Sequence, residues 1–243
     1  MGNDGVTRLN ACPRLLAVSG KMASGKDTLA GMLTNGAWRG SNVIRMAFAD
    51  SLRDEVNKML DLVRLRTREG VPNNDVDSEL AEVMGCSLDE ASTMTGILRD
   101  ELDANPNAEA HQHDNGLRSA LQYWGTDVRR AQNPDYWAEA TRKTIMGALT
   151  GTDAIIIITD LRFPNEAAVV KQCGGLLIRL DVSPGTQYER LRLRDGITHI
   201  DVGKQAHASE TALDDYDGFD IRVDTDTVTV DELAGVIMEA MPC

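Results

Sequence analysis

Residues 20–28 read Gly-Lys-Met-Ala-Ser-Gly-Lys-Asp-Thr, with Gly20 and Gly25 bracketing four residues and Lys26 directly after. That spacing lets successive backbone N–H groups wrap an anionic phosphate at a helix N-terminus, while the lysine reaches the outer phosphates. Glycine is needed where the chain turns and comes close to the ligand. The whole run (Gly20, Lys21, Ala23, Ser24, Gly25, Lys26, Asp27 and Thr28) is therefore read as an ATP-binding loop. Where a magnesium-binding hydroxyl is usual, this chain has Asp27, with Thr28 one step later. A carboxylate there can hold Mg²⁺ directly or through water, which makes Asp27 a metal candidate.

A second constellation follows the apolar run Ala154 to Thr159: Asp160-Leu-Arg162-Phe-Pro-Asn-Glu166. Ligands of open parallel α/β sheets bind at the carboxyl ends of the strands, so Asp160 and Arg162 should face the same crevice as the loop. Asp160 suits magnesium or the hold on an attacking oxygen, Arg162 a phosphate, and Glu166 a sugar or base donor. An N-capping aspartate beside a solvated arginine is the plainer alternative. Arg118, Gln122 and Thr126 stand at spacings of four, on one helix face suited to a nucleotide acceptor or simply to water. Arg190, Arg192 and Arg194 crowd a short helix that could close over reacting phosphates, and Arg190 and Arg194 are assigned to ATP. His207 and Glu210 are polar markers with structural and catalytic readings equally open. His111, His113 and His199 lack metal spacing.

These groups need a scaffold. Apolar residues make up 42% of the 243-residue chain, enough for a folded α/β core. The formal charge of −13 weighs against a duplex-DNA or anionic-lipid surface. Cys12, Cys86, Cys173 and Cys243 have no paired spacing, which suits a reducing cytoplasm. The opening MGNDGVTRLN has no apolar signal core, and no apolar run is long enough for a membrane span.

Strands are predicted over 14–19, 43–48, 154–159, 176–182 and 219–223. Helices are predicted over 26–35, 50–64, 117–131, 134–149, 164–172, 186–194 and 229–241. Between them, residues 66–115 hold twelve carboxylates against three basic side chains, read as an acidic helical flap or loop excursion. Strands alternating with helices predict a three-layer α/β/α domain around a central parallel sheet. One domain is expected over 1–243: the loop and first βα units at 14–65, the acidic insertion at 66–115, acceptor helices at 116–150, and the remaining core at 151–243 with a lid near 186–208.

The motifs GKMASGKDT, LRSALQYWGTD with Tyr136-Trp137, DLRFPNEA and HASETAL occur in this order from about Leu15 to Ile237. Together they resemble the deoxynucleoside monophosphate kinases of tailed bacteriophages. The resemblance implies a P-loop NTPase fold of adenylate-kinase-like type and a cytoplasmic, magnesium-dependent enzyme using ATP, in a family whose members are often homodimers. It implies that Lys26 and the loop around it hold ATP, with Asp27 in place of the hydroxyl; Lys26, Asp160 and Arg162 are the catalytic candidates, and Asp27 and Asp160 the magnesium candidates. The resemblance places Arg53, Arg118, Gly125, Thr126, Trp137, Asp160, Arg162 and Glu166 at the acceptor, and Asp50, Gln122 and Asp127 beside them complete the set of acceptor candidates. The 66–115 stretch and the arginine helix depart from the family pattern.

Three other readings share the loop. A kinase of hydroxymethyl-pyrimidines within phage DNA would use Asp160 as base. A dephospho-coenzyme A kinase-like enzyme would take another acceptor. A nucleotide-binding ATPase or switch would need none.

Overall fold

The computed structural model describes residues 13–35, 42–110, 117–195 and 211–240. Five strands form one parallel sheet in the order β2-β3-β1-β4-β5. They are β1 (Leu15–Gly20), β2 (Val43–Met46), β3 (Ile155–Ile158), β4 (Leu176–Asp181) and β5 (Ile221–Asp224). Continuous apolar runs are what a sheet covered on both faces demands, and all four isoleucines of β3 are buried. Edge strand β5 alternates buried and exposed residues. Helices α1 (Lys26–Asn35) and α9 (Val230–Ala240) cover one face, where Leu29, Leu33, Leu233 and Ile237 pack with Leu16, Val18, Ile157 and Leu180. Helix α7 (Pro164–Gln172) covers the other, over β1 and β4. A side chain at Gly175 would collide with Val170 of that helix and with Leu15. This is a three-layer α/β/α architecture around a parallel sheet, with the carboxyl ends of β1 and β3 at one edge.

The chain divides into two compact units, one of residues up to Ala47 and from Arg142 onward, the other of Phe48–Thr141. The second is helical: α2 (Asp50–Glu69), α3 (Asn73–Met84), α4 (Leu88–Ala104) and α5 (Arg118–Gln122), then a π-helical segment, Tyr123–Arg130. Helix α6 (Tyr136–Gly151) runs on into the first unit, and α8 (Pro184–Asp195) follows β4 there. The acidic stretch is thus α3 and α4 with the end of α2. Each buries a narrow stripe, Val76, Leu80 and Met84 on α3 and Ala91, Met94 and Leu98 on α4, and apart from the buried Asp77 its carboxylates are half-buried or exposed. Among the described residues no helix is long and apolar enough to cross a membrane.

Candidate functional site

Strand β1 ends in the glycine-rich turn, and its geometry explains the residue types. Gly20 has φ 155°, and a Cβ there would lie 2.4 Å from Ser24 Oγ and 2.5 Å from the Leu180 carbonyl. Only glycine fits. Gly25 (φ 98°) and Ala23 (φ 60°) also lie at positive φ, bending the backbone into a concave run of amides, the arrangement that binds anions. Ser24 is fully buried, and its hydroxyl has no hydrogen-bond partner in the structure. Lys26, at the start of α1, folds back over the turn and donates to the carbonyls of Gly20 (2.6 Å) and Lys21 (2.7 Å).

Two concavities meet at this lysine. A small one is lined by Gly20, Lys26, Asp160 and Arg162 together with Ser19, Arg179 and Leu213. The expected juxtaposition of loop and second carboxylate is therefore present: Asp160 is half-buried at the end of β3, and Arg162 is exposed beside it. The other is a cleft of about 470 Å³ lined by loop residues 23–28, by Arg190, Leu193 and Arg194 of α8, by Thr225, Val228 and Thr229, and by Leu233 of α9. Lys26 lines both.

The remaining predicted groups of this unit have specific partners. Glu166 is 4% exposed, and its Oε2 accepts from the backbone N–H groups of Arg162 (2.8 Å) and Phe163 (3.1 Å). It caps α7 and fixes the strand-to-helix turn that carries Asp160 and Arg162. Asp27 is ion-paired with Arg45 of β2, whose guanidinium also donates to Thr159 Oγ1 at 3.1 Å. Among the described residues no three His, Cys, Asp or Glu side chains cluster as a metal cage. Magnesium keeps much of its water and takes one or two carboxylates plus substrate phosphates, so Asp27 and Asp160 are a fitting donor set.

The arginine helix divides its roles. Arg190 donates to the carbonyls of Ala23 (3.1 Å) and Thr225 (2.7 Å), and Gln187 to that of Met22 (2.8 Å), so this part of α8 is stapled to the loop. Arg192 pairs with Glu189 one turn back. Arg194 lines the cleft. His207 and Glu210 lie outside the described residues, as does most of the expected lid.

Sequence reasoning missed three residues here. Arg179, 6% exposed within apolar β4, pairs in register with Ser19. It donates to Ser19 Oγ (3.1 Å), Asp181 (3.1 Å) and Asp214 (2.8 Å). Asp214 in turn holds Lys21 of the loop at 2.5 Å. Arg45 is the third. A lone charge inside an apolar strand was the available signal for Arg179; nothing local marks Asp214.

No protein-family model matches the chain. A protein of Acanthamoeba polyphaga mimivirus, named provisionally as a deoxynucleotide monophosphate kinase, is 26% identical over 231 residues, spanning 93% of this chain and 95% of that one. Among solved structures, TT1252 from Thermus thermophilus has a TM-score of 0.49 at 15% identity over 95% of this chain and 96% of its own. A gluconokinase from Sinorhizobium meliloti 1021 has a TM-score of 0.41 at 12% identity, over 94% and 91%.

In the helical unit, Arg53 pairs with Asp50 at 2.9 Å, both half-buried on the first turn of α2. Arg118, Gln122, Thr126 and Asp127 are exposed. The expected α-helical stripe holds from Arg118 to Gln122. Beyond it the ladder widens, with Ala131 N–H donating to Thr126 O, so a spacing of four no longer completes a turn. Trp137 is 3% exposed, and its indole N–H donates to the Gly125 carbonyl at 3.0 Å, so it sits in the core of the unit. Tyr136 next to it is half-buried. Burial, then its hydrogen bond to Glu55, pushes its phenol up to about 12.

Proposed function

We propose that this protein transfers the γ-phosphoryl group of ATP to the phosphate of a deoxynucleoside monophosphate. One observation carries the reading: Lys26 lines both the large cleft of the glycine-rich loop and the small pocket holding Asp160 and Arg162. A phosphoryl donor in the cleft and an anionic acceptor in the pocket would then share one cation at their junction. Phosphoryl transfer needs alignment and charge neutralisation rather than covalent help from the protein. The mimivirus protein's provisional name supports the same activity.

In this reading the amides of residues 20–28 hold the triphosphate, and Lys26 swings its ammonium from the Gly20 and Lys21 carbonyls to the outer phosphates. A bound magnesium ion would supply charge neutralisation to the transferring phosphoryl group. Asp27, now paired with Arg45, and Asp160, which lines the small pocket, are the residues that would hold that ion. Arg162 and Arg179 furnish positive charge around the small pocket. Arg53, Arg118, Gln122, Thr126 and Asp127 recognise the nucleoside monophosphate. The acceptor is already an anionic oxygen, so no strong general base is required.

The test is incubation with ATP, Mg²⁺ and each deoxynucleoside monophosphate in turn, alongside DNA containing hydroxymethyl-pyrimidines. Formation of a deoxynucleoside diphosphate is the expected outcome. Phosphorylated DNA, or ATP hydrolysis independent of any acceptor, refutes it.

A further inference from the structure

Residues 123–130 form eight consecutive residues of π-helix, a conformation seldom sustained beyond a single turn. The fold must hold it. On an α-helix, residues five apart point about 140° away from each other (five steps of 100°). On a π-helix, whose hydrogen bonds run between residues five apart, they return to about the same face. Trp124 and Arg129 are five apart, and both reach one oxygen of Glu55 on α2. The indole N–H donates at 2.7 Å and the Arg129 Nε–H at 3.1 Å.

The Tyr136 hydroxyl donates to the other carboxylate oxygen at 2.6 Å. The Arg129 guanidinium lies 4.5 Å from the Trp124 ring centre and 4.7 Å from that of Tyr136, and donates to the Met84 carbonyl at 2.8 Å. Three residues before Glu55, Leu52 occupies the space beside Gly125, where a Cβ would come within 2.9 Å of it. Helix α2 thus grips the segment at two points, while Thr126 and Asp127 remain exposed.

We propose that Glu55 is a positioning residue for the acceptor nucleotide. By gathering Trp124 and Arg129 onto one face its carboxylate selects the π-helical form, and so fixes where Thr126 and Asp127 are presented. The inference rests on the acceptor reading of residues 118–127 given above. Reversion to an α-helix would turn Thr126 and Asp127 relative to Gln122. It would also carry Arg129 away from Trp124, leaving a guanidinium and a carboxylate unmatched in the interior.

Glu55→Gln keeps the size and one acceptor oxygen but removes the charge that holds Arg129. Its KM for the deoxynucleoside monophosphate is expected to rise about tenfold, the scale of losing a charge-assisted hydrogen bond. Its KM for ATP should stay within about twofold, because the ATP-side contacts are untouched. Amide hydrogen exchange across residues 123–131 should accelerate while that of β1 and β3 does not. Trp124→Phe and Arg129→Lys, each of which alters one partner of Glu55 and leaves the carboxylate in place, should give smaller versions of the same pattern, and they carry the test if Glu55→Gln does not fold. Equal increases in both KM values, or unchanged exchange in the segment, overturn the proposal. If the wild-type protein phosphorylates no deoxynucleoside monophosphate, it is the acceptor reading that fails. Exchange in the three variants then decides the clasp alone, and unchanged rates refute it.

Discussion

Replacing Gly20 with alanine tests whether the loop has the shape described. The added Cβ meets two atoms of different compliance. Ser24 Oγ, at 2.4 Å, belongs to a side chain, whereas the Leu180 carbonyl, at 2.5 Å, is main chain in the middle of the sheet. Forcing an extra carbon into a packed interior costs about 1–3 kcal/mol. Holding a non-glycine residue at the φ of Gly20 costs about another 1–3 kcal/mol. For a chain of this size each kcal/mol lowers the melting midpoint by about 2–4 °C, so Gly20→Ala should melt roughly 5–20 °C lower. Calorimetry measures the shift, and titration with ATP measures a parallel loss of affinity. The double variant Gly20→Ala/Ser24→Ala should recover only part of the loss, because the carbonyl contact remains. A Gly20→Ala protein melting within about 1 °C of wild type with undiminished ATP affinity would refute the tight loop, since even the smaller of the two costs exceeds that shift.

Lys26→Ala should lower phosphoryl transfer by at least about 10²-fold, the scale of removing a preorganised charge from a transition state. Its stability should fall by only about 1–2 kcal/mol for the bonds to Gly20 and Lys21, and near-normal turnover would contradict the assignment. Arg179→Met should destabilise by about 2–4 kcal/mol, because Asp214 and Ser19 lose their shared buried partner; an unchanged urea midpoint would show that network to be inert. The Tyr136 phenol is held at about 12, above its ordinary range. Its contacts therefore stabilise the fold fully below pH about 10, and that contribution is lost as pH rises through about 12. Phenolate absorbance should show a component titrating near 12 that vanishes in Tyr136→Phe, and its absence from wild type would refute the buried geometry.

The parts of the site legible in the sequence are those where neighbouring residues carry the signal. Gly20 to Thr28 is one turn and one helix start, so its spacing encodes its shape. Asp160 and Arg162 follow a run of isoleucines that can only be a buried strand, and strand ends define the crevice. The Arg179 network was not legible because its partners Ser19 and Asp214 lie 160 and 35 residues away. Arg45 stayed hidden for the same reason, meeting Asp27 and Thr159 only through the sheet. In residues 66–115 the polar majority obscured narrow buried stripes, although one local signal was present. Ser87 and Glu90 form a reciprocal cap in which Ser87 N–H donates to Glu90 Oε2 at 2.8 Å and Glu90 N–H to Ser87 Oγ at 3.2 Å. The π-helical segment defeats periodicity by construction, since a template of spacing 3.6 misplaces residues that recur at five.

The staple from Gln187 and Arg190 to the loop sets where any lid can bend. Those two residues are fastened to Met22, Ala23 and Thr225, so the front of α8 is tied directly to the glycine-rich loop. A swing of the arginine segment, if the proposed function requires one, would hinge beyond Arg190, moving Arg194 and leaving the loop's own contour untouched. Any closing movement of that kind would leave the floor of the cleft in its present shape.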